Sequence, residues 1–99
     1  MKVSMDKQTL QQHLQNTTDI VLIDVRSKDE FEERHIPNTI HIPIEMIEAG
    51  HFIPDSQKRI ITVCAKGGGR SERAATFLRT HFPNTNYFLE GGSTGWFEN

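Results

Sequence analysis

At 99 residues, with 35% hydrophobic and 24% charged positions, the chain has the size and balance of one globular domain, which excludes a disordered or fibrous protein. Lys and Arg total 11 against 13 Asp and Glu, a formal charge of -2, so no whole-chain attraction to nucleic acid or an acidic membrane is expected. The residues from Met1 to Gln8 lack the apolar core of a secretion signal, no run reaches membrane-spanning length, and one cysteine cannot close an internal disulfide; a single domain over 1–99 in the cytoplasm, with a free thiol, is the expectation.

In chain order, Ser4 is placed to cap an amphipathic helix over roughly residues 6–16, with Leu10 and Leu14 on its apolar face. The run Ile20-Val21-Leu22-Ile23-Asp24-Val25 is continuous enough to be a strand covered on both faces. Ser27 and Glu30 have capping-box spacing, which predicts a short helix over about 28–34. Ile36-Pro37-Asn38 ends it, and Thr39 to Pro43 alternates as a short strand before a brief helix over 44–49. A second strong strand, Arg59 to Val63, runs directly into Cys64 and three glycines, after which a helix is expected from Ser71 to about His81. Tyr87-Phe88-Leu89 reads as a third strand, and Gly91-Gly92 turns into a terminal segment holding Trp96. Strands alternating with helices predict an α/β fold: a three-layer sandwich with a mostly parallel central sheet flanked by helices.

In such a sheet, ligands gather where a strand's carboxyl end hands over to a helix, and Cys64 stands at that junction. Ala65, Lys66, Gly67, Gly68, Gly69, Arg70 and Ser71 follow it. Unhindered glycine backbone can curl its N–H groups into an anion nest, the next helix adds the positive end of its dipole, and Lys66 and Arg70 add charge. The same groups favour thiolate over thiol, whose free pKa is about 8.5. Cys64 is therefore the candidate nucleophile and Ala65 to Ser71 the candidate substrate or oxyanion cradle. The phosphate-loop pattern Gly-x-x-x-x-Gly-Lys-Ser/Thr is absent. His13, His35, His41, His51 and His81 form no close ligand motif, so no metal and no cofactor is expected. Asp24 and Arg26 are read as loop-bracing residues, and Trp96 as core.

With these elements in place, the sequence resembles a single-domain rhodanese, the thiosulfate sulfurtransferase family. The likeness rests on Asp24-Val25-Arg26 with Glu30-Phe31, on His35-Ile36-Pro37-Asn38-Thr39-Ile40-His41-Ile42-Pro43, on the Cys64 loop, and on Leu89-Glu90-Gly91-Gly92 with Trp96. Arg34, Asn38 and Thr39 depart from the family's usual Gly-His-Ile-Pro-Gly-Ala segment. The resemblance implies a rhodanese-like fold in which Cys64 takes sulfane sulfur from a small anionic donor such as thiosulfate. The resulting persulfide then passes sulfur to a thiol or cyanide acceptor. His35 and His41, inside the signature, are expected to make structural hydrogen bonds.

One departure widens the range of chemistry. Family members usually place four residues between cysteine and arginine, whereas Ala65 to Gly69 make five here. Cys-x5-Arg-Ser also resembles the loop of cysteine phosphatases and some arsenate reductases, and would form a pocket wide enough for a tetrahedral oxyanion. A phosphatase needs a general acid for its leaving alkoxide, a contribution of about 10²- to 10⁴-fold. The loop holds none; Glu72 is the nearest carboxylate in sequence, and Asp24 and Glu90 are placed to approach from neighbouring strand ends. Sulfite leaves thiosulfate without such help, which favours sulfurtransferase over phosphatase or arsenate reductase. Arg70 can either bind the oxyanion or turn outward to brace the loop. A non-catalytic sulfur carrier or binding module stays open as a third reading.

Overall fold

The computed structural model describes residues 3–16 and 19–98. The elements run β1 (Ser4–Met5), α1 (Lys7–Asn16), β2 (Ile20–Asp24), α2 (Lys28–Glu33), β3 (Ile40–His41), α3 (Ile44–Glu48), β4 (Arg59–Val63), α4 (Gly69–His81), β5 (Asn86–Leu89) and α5 (Gly92–Phe97). The strands form one five-stranded sheet in the order β1-β5-β4-β2-β3, and every pairing is parallel.

The pleat sorts apolar side chains to opposite faces at a period of two. Along β4 and just beyond it, Ile60 and Cys64 join Ile23, Val25, Ile44, Ile47, Ala74 and Leu78 in a core beneath α3 and α4. Ile61 and Val63 instead join Met5, Leu10, Leu22 and Leu89 in a second core, closed by Trp96 and Phe97. Two cores, one on each face, make the expected three-layer sandwich and explain why β2 and β4 carry apolar side chains on both faces. Ile23, Ile60 and Ile61 are 0% exposed, and each such side chain contributes about 1.5–3 kcal/mol of transfer free energy.

Two parts of the N-terminal region differ from expectation. Ser4 does not cap α1; it lies in β1, in register with Phe88, and its hydroxyl donates to the Glu90 carboxylate. Asp6 takes the capping role, its Oδ1 accepting the Thr9 N–H at 2.7 Å. Ser4 and Asp6 are both short polar residues beside the helix, and the long-range pairing with β5 decides between them. At the other end, the terminal segment is helical as α5. The expected capping box of α2 is present, with both Ser27 and Glu30 engaged.

Topology fixes where a ligand can sit. From β2 the chain moves outward to β3, while from β4 it moves the other way to β5. Their connections diverge at the carboxyl ends, where Asp24 is in register with Val63, and such a divergence leaves a crevice above the sheet.

Candidate active site

Cys64 follows β4, the middle strand, and is 4% exposed. Strand alternation puts Thr62 on the same face, under the start of α4. The Thr62 hydroxyl donates to the Ser71 carbonyl at 2.8 Å, which seats the first turn of α4 against the strand. Ser71, 0% exposed, thereby brings its Oγ to 3.1 Å from the Cys64 Sγ. The loop is held from outside by α5: the Ser93 N–H donates to the Cys64 carbonyl at 2.8 Å and the Thr94 N–H to the Ala65 carbonyl at 2.9 Å. That approach leaves no room for a side chain at Gly92, whose φ is +58° and where an added Cβ would fall 2.3 Å from the Cys64 carbonyl oxygen. Gly67 is similar, with φ +75° and an added Cβ at 2.3 Å from the Gly91 nitrogen.

Burial of the sulfur pushes the Cys64 pKa up, but hydrogen bonding from the Ser71 hydroxyl and from the backbone N–H groups of Ser71, Gly68 and Gly67 outweighs it. The net pKa lies below the ordinary thiol value. The cradle differs from a nest built of N–H groups alone. The Gly68 carbonyl also faces inward, accepting from the Cys64 thiol at 3.0 Å and from the Ser71 hydroxyl at 3.1 Å. Because the peptide is planar and trans, the Gly69 N–H on the other side of that bond is directed away. An added Cβ at Gly68 or Gly69 would meet nothing within 4 Å, so that peptide has space around it.

Among the predicted loop residues, Gly67, Gly68 and Ser71 surround the sulfur, Ala65 is the point held by α5, and Lys66 is exposed. Arg70 is engaged elsewhere: its two terminal nitrogens donate to Glu30 Oε1 at 2.7 Å and Oε2 at 3.1 Å. Glu30 also accepts the Ser27 N–H at 3.0 Å as part of the α2 capping box. The hydrogen bonds from Arg70, then from Ser27, lower the Glu30 pKa to about 2, and the pairing raises that of Arg70. In the sequence, Glu30 stands out as a capping residue and as part of the family likeness, but not as a partner of Arg70. An arginine in the first turn of α4 sits at the positive end of the helix dipole and needs a carboxylate, which is the signal that points to such a partner.

Of the carboxylates considered as acids, Glu72 lies in the first turn of α4, and the other two are engaged by neighbouring side chains. Buried Asp24 receives Arg26 Nε on both oxygens at 3.0 Å, and Arg26 also donates to the Arg34 carbonyl at 2.7 Å, tying the end of β2 to the end of α2. Glu90 receives Ser4. His35 and His41 stack on Phe31 and bond the backbone carbonyls of Phe31 and Arg26 at 2.8 Å. Trp96 packs on the second core. A cleft of about 250 Å³ opens alongside, sharing Glu30, Ser93 and Thr94 with the loop supports; Cys64 is not part of its walls.

Comparison with known proteins agrees with the fold. Residues 6–99 match the family described as rhodanese-like domain. The sulfurtransferase of Allochromatium vinosum is 26% identical over 92 residues, covering 93% of this chain and 85% of that protein. The thiosulfate sulfurtransferase GlpE of Coxiella burnetii is 31% identical over 78 residues, covering 79% and 72%. The crystal structure of a rhodanese-like domain protein from Staphylococcus aureus superposes with a TM-score of 0.84 at 27% identity, covering 100% of this chain and 94% of that one.

Proposed function

The chain belongs to the family of rhodanese-like domains, and from that premise we propose that it is a sulfurtransferase working through a Cys64 persulfide. The observation that carries the reading is the buried Cys64 sulfur, with the Ser71 hydroxyl and the N–H groups of Gly67, Gly68 and Ser71 directed at it and its pKa lowered as a result. Relatives named as sulfurtransferases support the same class.

In the proposed reaction the Cys64 thiolate attacks the outer sulfur of thiosulfate. A new S–S bond forms, the original S–S bond breaks, and sulfite leaves with the electron pair. A thiolate or cyanide then attacks the outer persulfide sulfur, forming its own bond to that atom and returning Cys64 as thiolate. The step needs anion stabilisation at Cys64, which inward N–H donors supply, and no general acid, because sulfite is a stable leaving group. A cytoplasmic setting belongs to the same proposal, since the reaction needs the thiol reduced.

The Cys-x5-Arg spacing favours a second reading, hydrolysis or reduction of a tetrahedral oxyanion. It is the weaker one, because Arg70, which would bind the oxyanion, is paired with Glu30, and two of the three candidate acids, Asp24 and Glu90, are engaged by Arg26 and Ser4. Sulfite release from thiosulfate with cyanide or a small thiol as acceptor distinguishes them. Turnover that disappears in Cys64→Ser, without aryl phosphate hydrolysis or arsenate reduction, is the expected result. Robust Cys64-dependent turnover of either oxyanion substrate instead overturns the proposal, and sulfur loading without onward transfer to any acceptor marks a carrier.

A further inference from the structure

Arg70 closes a loop of the length that suits a tetrahedral oxyanion, yet its guanidinium is already occupied. The two nitrogens that would form a fork on such an anion instead hold both oxygens of Glu30, at 2.7 and 3.1 Å. Glu30 is itself fixed, because it is the third residue of α2 and accepts the Ser27 N–H at 3.0 Å and the Ser27 hydroxyl at 3.0 Å. The pair therefore bridges the starts of two helices, α2 after β2 and α4 after β4, across the crevice where their connections diverge. A surface ion pair made by two free side chains would reorganise readily; here one partner is built into a helix cap.

From this geometry we infer that Glu30 is a specificity-determining residue, which occupies the Arg70 fork and so withholds the guanidinium from the Cys64 loop. With Arg70 withheld and Lys66 exposed, the donors facing the Cys64 sulfur are backbone N–H groups and the Ser71 hydroxyl. That donor set suits the single negative charge of a persulfide. A tetrahedral dianion held whole in the loop, such as phosphate, also requires a guanidinium fork to balance its charge and is discriminated against, whereas thiosulfate, likewise a tetrahedral dianion, has to present only its outer sulfur to Cys64. The inference takes from the proposed function only that the Cys64 loop binds anions; it does not depend on sulfur chemistry.

The test measures how inorganic phosphate protects Cys64 of the full chain from alkylation by iodoacetamide, with thiosulfate loading followed by mass on the same samples. Glu30→Gln keeps a capping-box acceptor while removing the charge that holds Arg70. It is expected to lower the phosphate concentration for half-protection by about tenfold, the size of one charge-assisted hydrogen bond gained. Loading by thiosulfate should not rise with it. Glu30→Ala should show the same gain, Ser27→Ala, which loosens the cap and keeps the carboxylate, should show none, and adding Arg70→Ala to Glu30→Gln should cancel it.

Unchanged or weaker phosphate protection in both folded Glu30 variants overturns the inference, weaker protection meaning that Glu30 aims Arg70 at the anion. An equal gain in Ser27→Ala also overturns it, because the effect then comes from loosening α2. The two claims fail separately. Wild-type chain that loads sulfur while the Glu30 variants gain nothing contradicts only this inference. Chain that never loads sulfur while the variants gain phosphate affinity contradicts only the sulfurtransferase proposal.

Discussion

The ionisation of Cys64 is a balance of opposed effects within a few ångströms. Burial disfavours the thiolate, and the Ser71 hydroxyl with three backbone N–H groups more than compensates. The Gly68 carbonyl, 3.0 Å from Sγ, accepts from the thiol and so favours the protonated form. Since the folded pKa is depressed, the thiolate contributes stability above the unfolded-state value, and that contribution is lost as pH falls through the folded one. Alkylation of Cys64 followed against pH should therefore have its midpoint below the free-cysteine value of about 8.5. Ser71→Ala removes the largest opposing contribution, and should move that midpoint upward and slow alkylation at neutral pH by about tenfold. An unchanged midpoint would show that the N–H groups alone set the pKa. The nucleophile was legible from sequence because its signals are local: a strand end, glycines and a helix start within eight residues. The inward Gly68 carbonyl was not, because glycine permits either orientation of a peptide and residue identity does not choose between them.

Among the elements, α5 has a role that its short sequence does not announce. Its first N–H groups hold the carbonyls of Cys64 and Ala65, so the loop is clamped between α4 and α5. Gly92→Ala places a Cβ against the Cys64 carbonyl in a left-handed conformation, at a cost of about 2 kcal/mol or more. For a domain of this size it should lower the melting midpoint by roughly 10 °C and reduce sulfur loading with it. Gly68→Ala, where the space is open, should melt close to wild type. Equal midpoints for Gly92→Ala and wild type would remove the clamp from the account. Gly91-Gly92 was readable as a turn, whereas the clamp depends on backbone meeting backbone across almost thirty residues. The same limit applies at Ser4, whose recruitment to β1 follows from a partner strand near the other end of the chain. The capping box of α2 was legible because its two residues are three apart, and the pairing of Glu30 with Arg70, forty residues on, was not.

At the scale of the whole molecule, the parallel sheet with a core on each face accounts for the placement of the site. The nearly continuous apolar run of β2 marked it as a strand covered on both faces, and the alternation of β4 assigns Ile60 and Cys64 to one core and Ile61 and Val63 to the other. The middle strand then delivers Cys64 to the crevice where the connections of β2 and β4 diverge. Strand order itself was beyond the sequence, since it is set by which faces pack together. Every element that touches the loop is thus a consequence of how the two cores close, and the chemistry assigned to Cys64 depends on that closure. The most direct test is the intact mass of the folded chain after thiosulfate treatment. A gain of one sulfur is expected, removed by a reducing agent and absent in Cys64→Ser. No gain in wild type under conditions that load a known rhodanese, or an equal gain in Cys64→Ser, would contradict it.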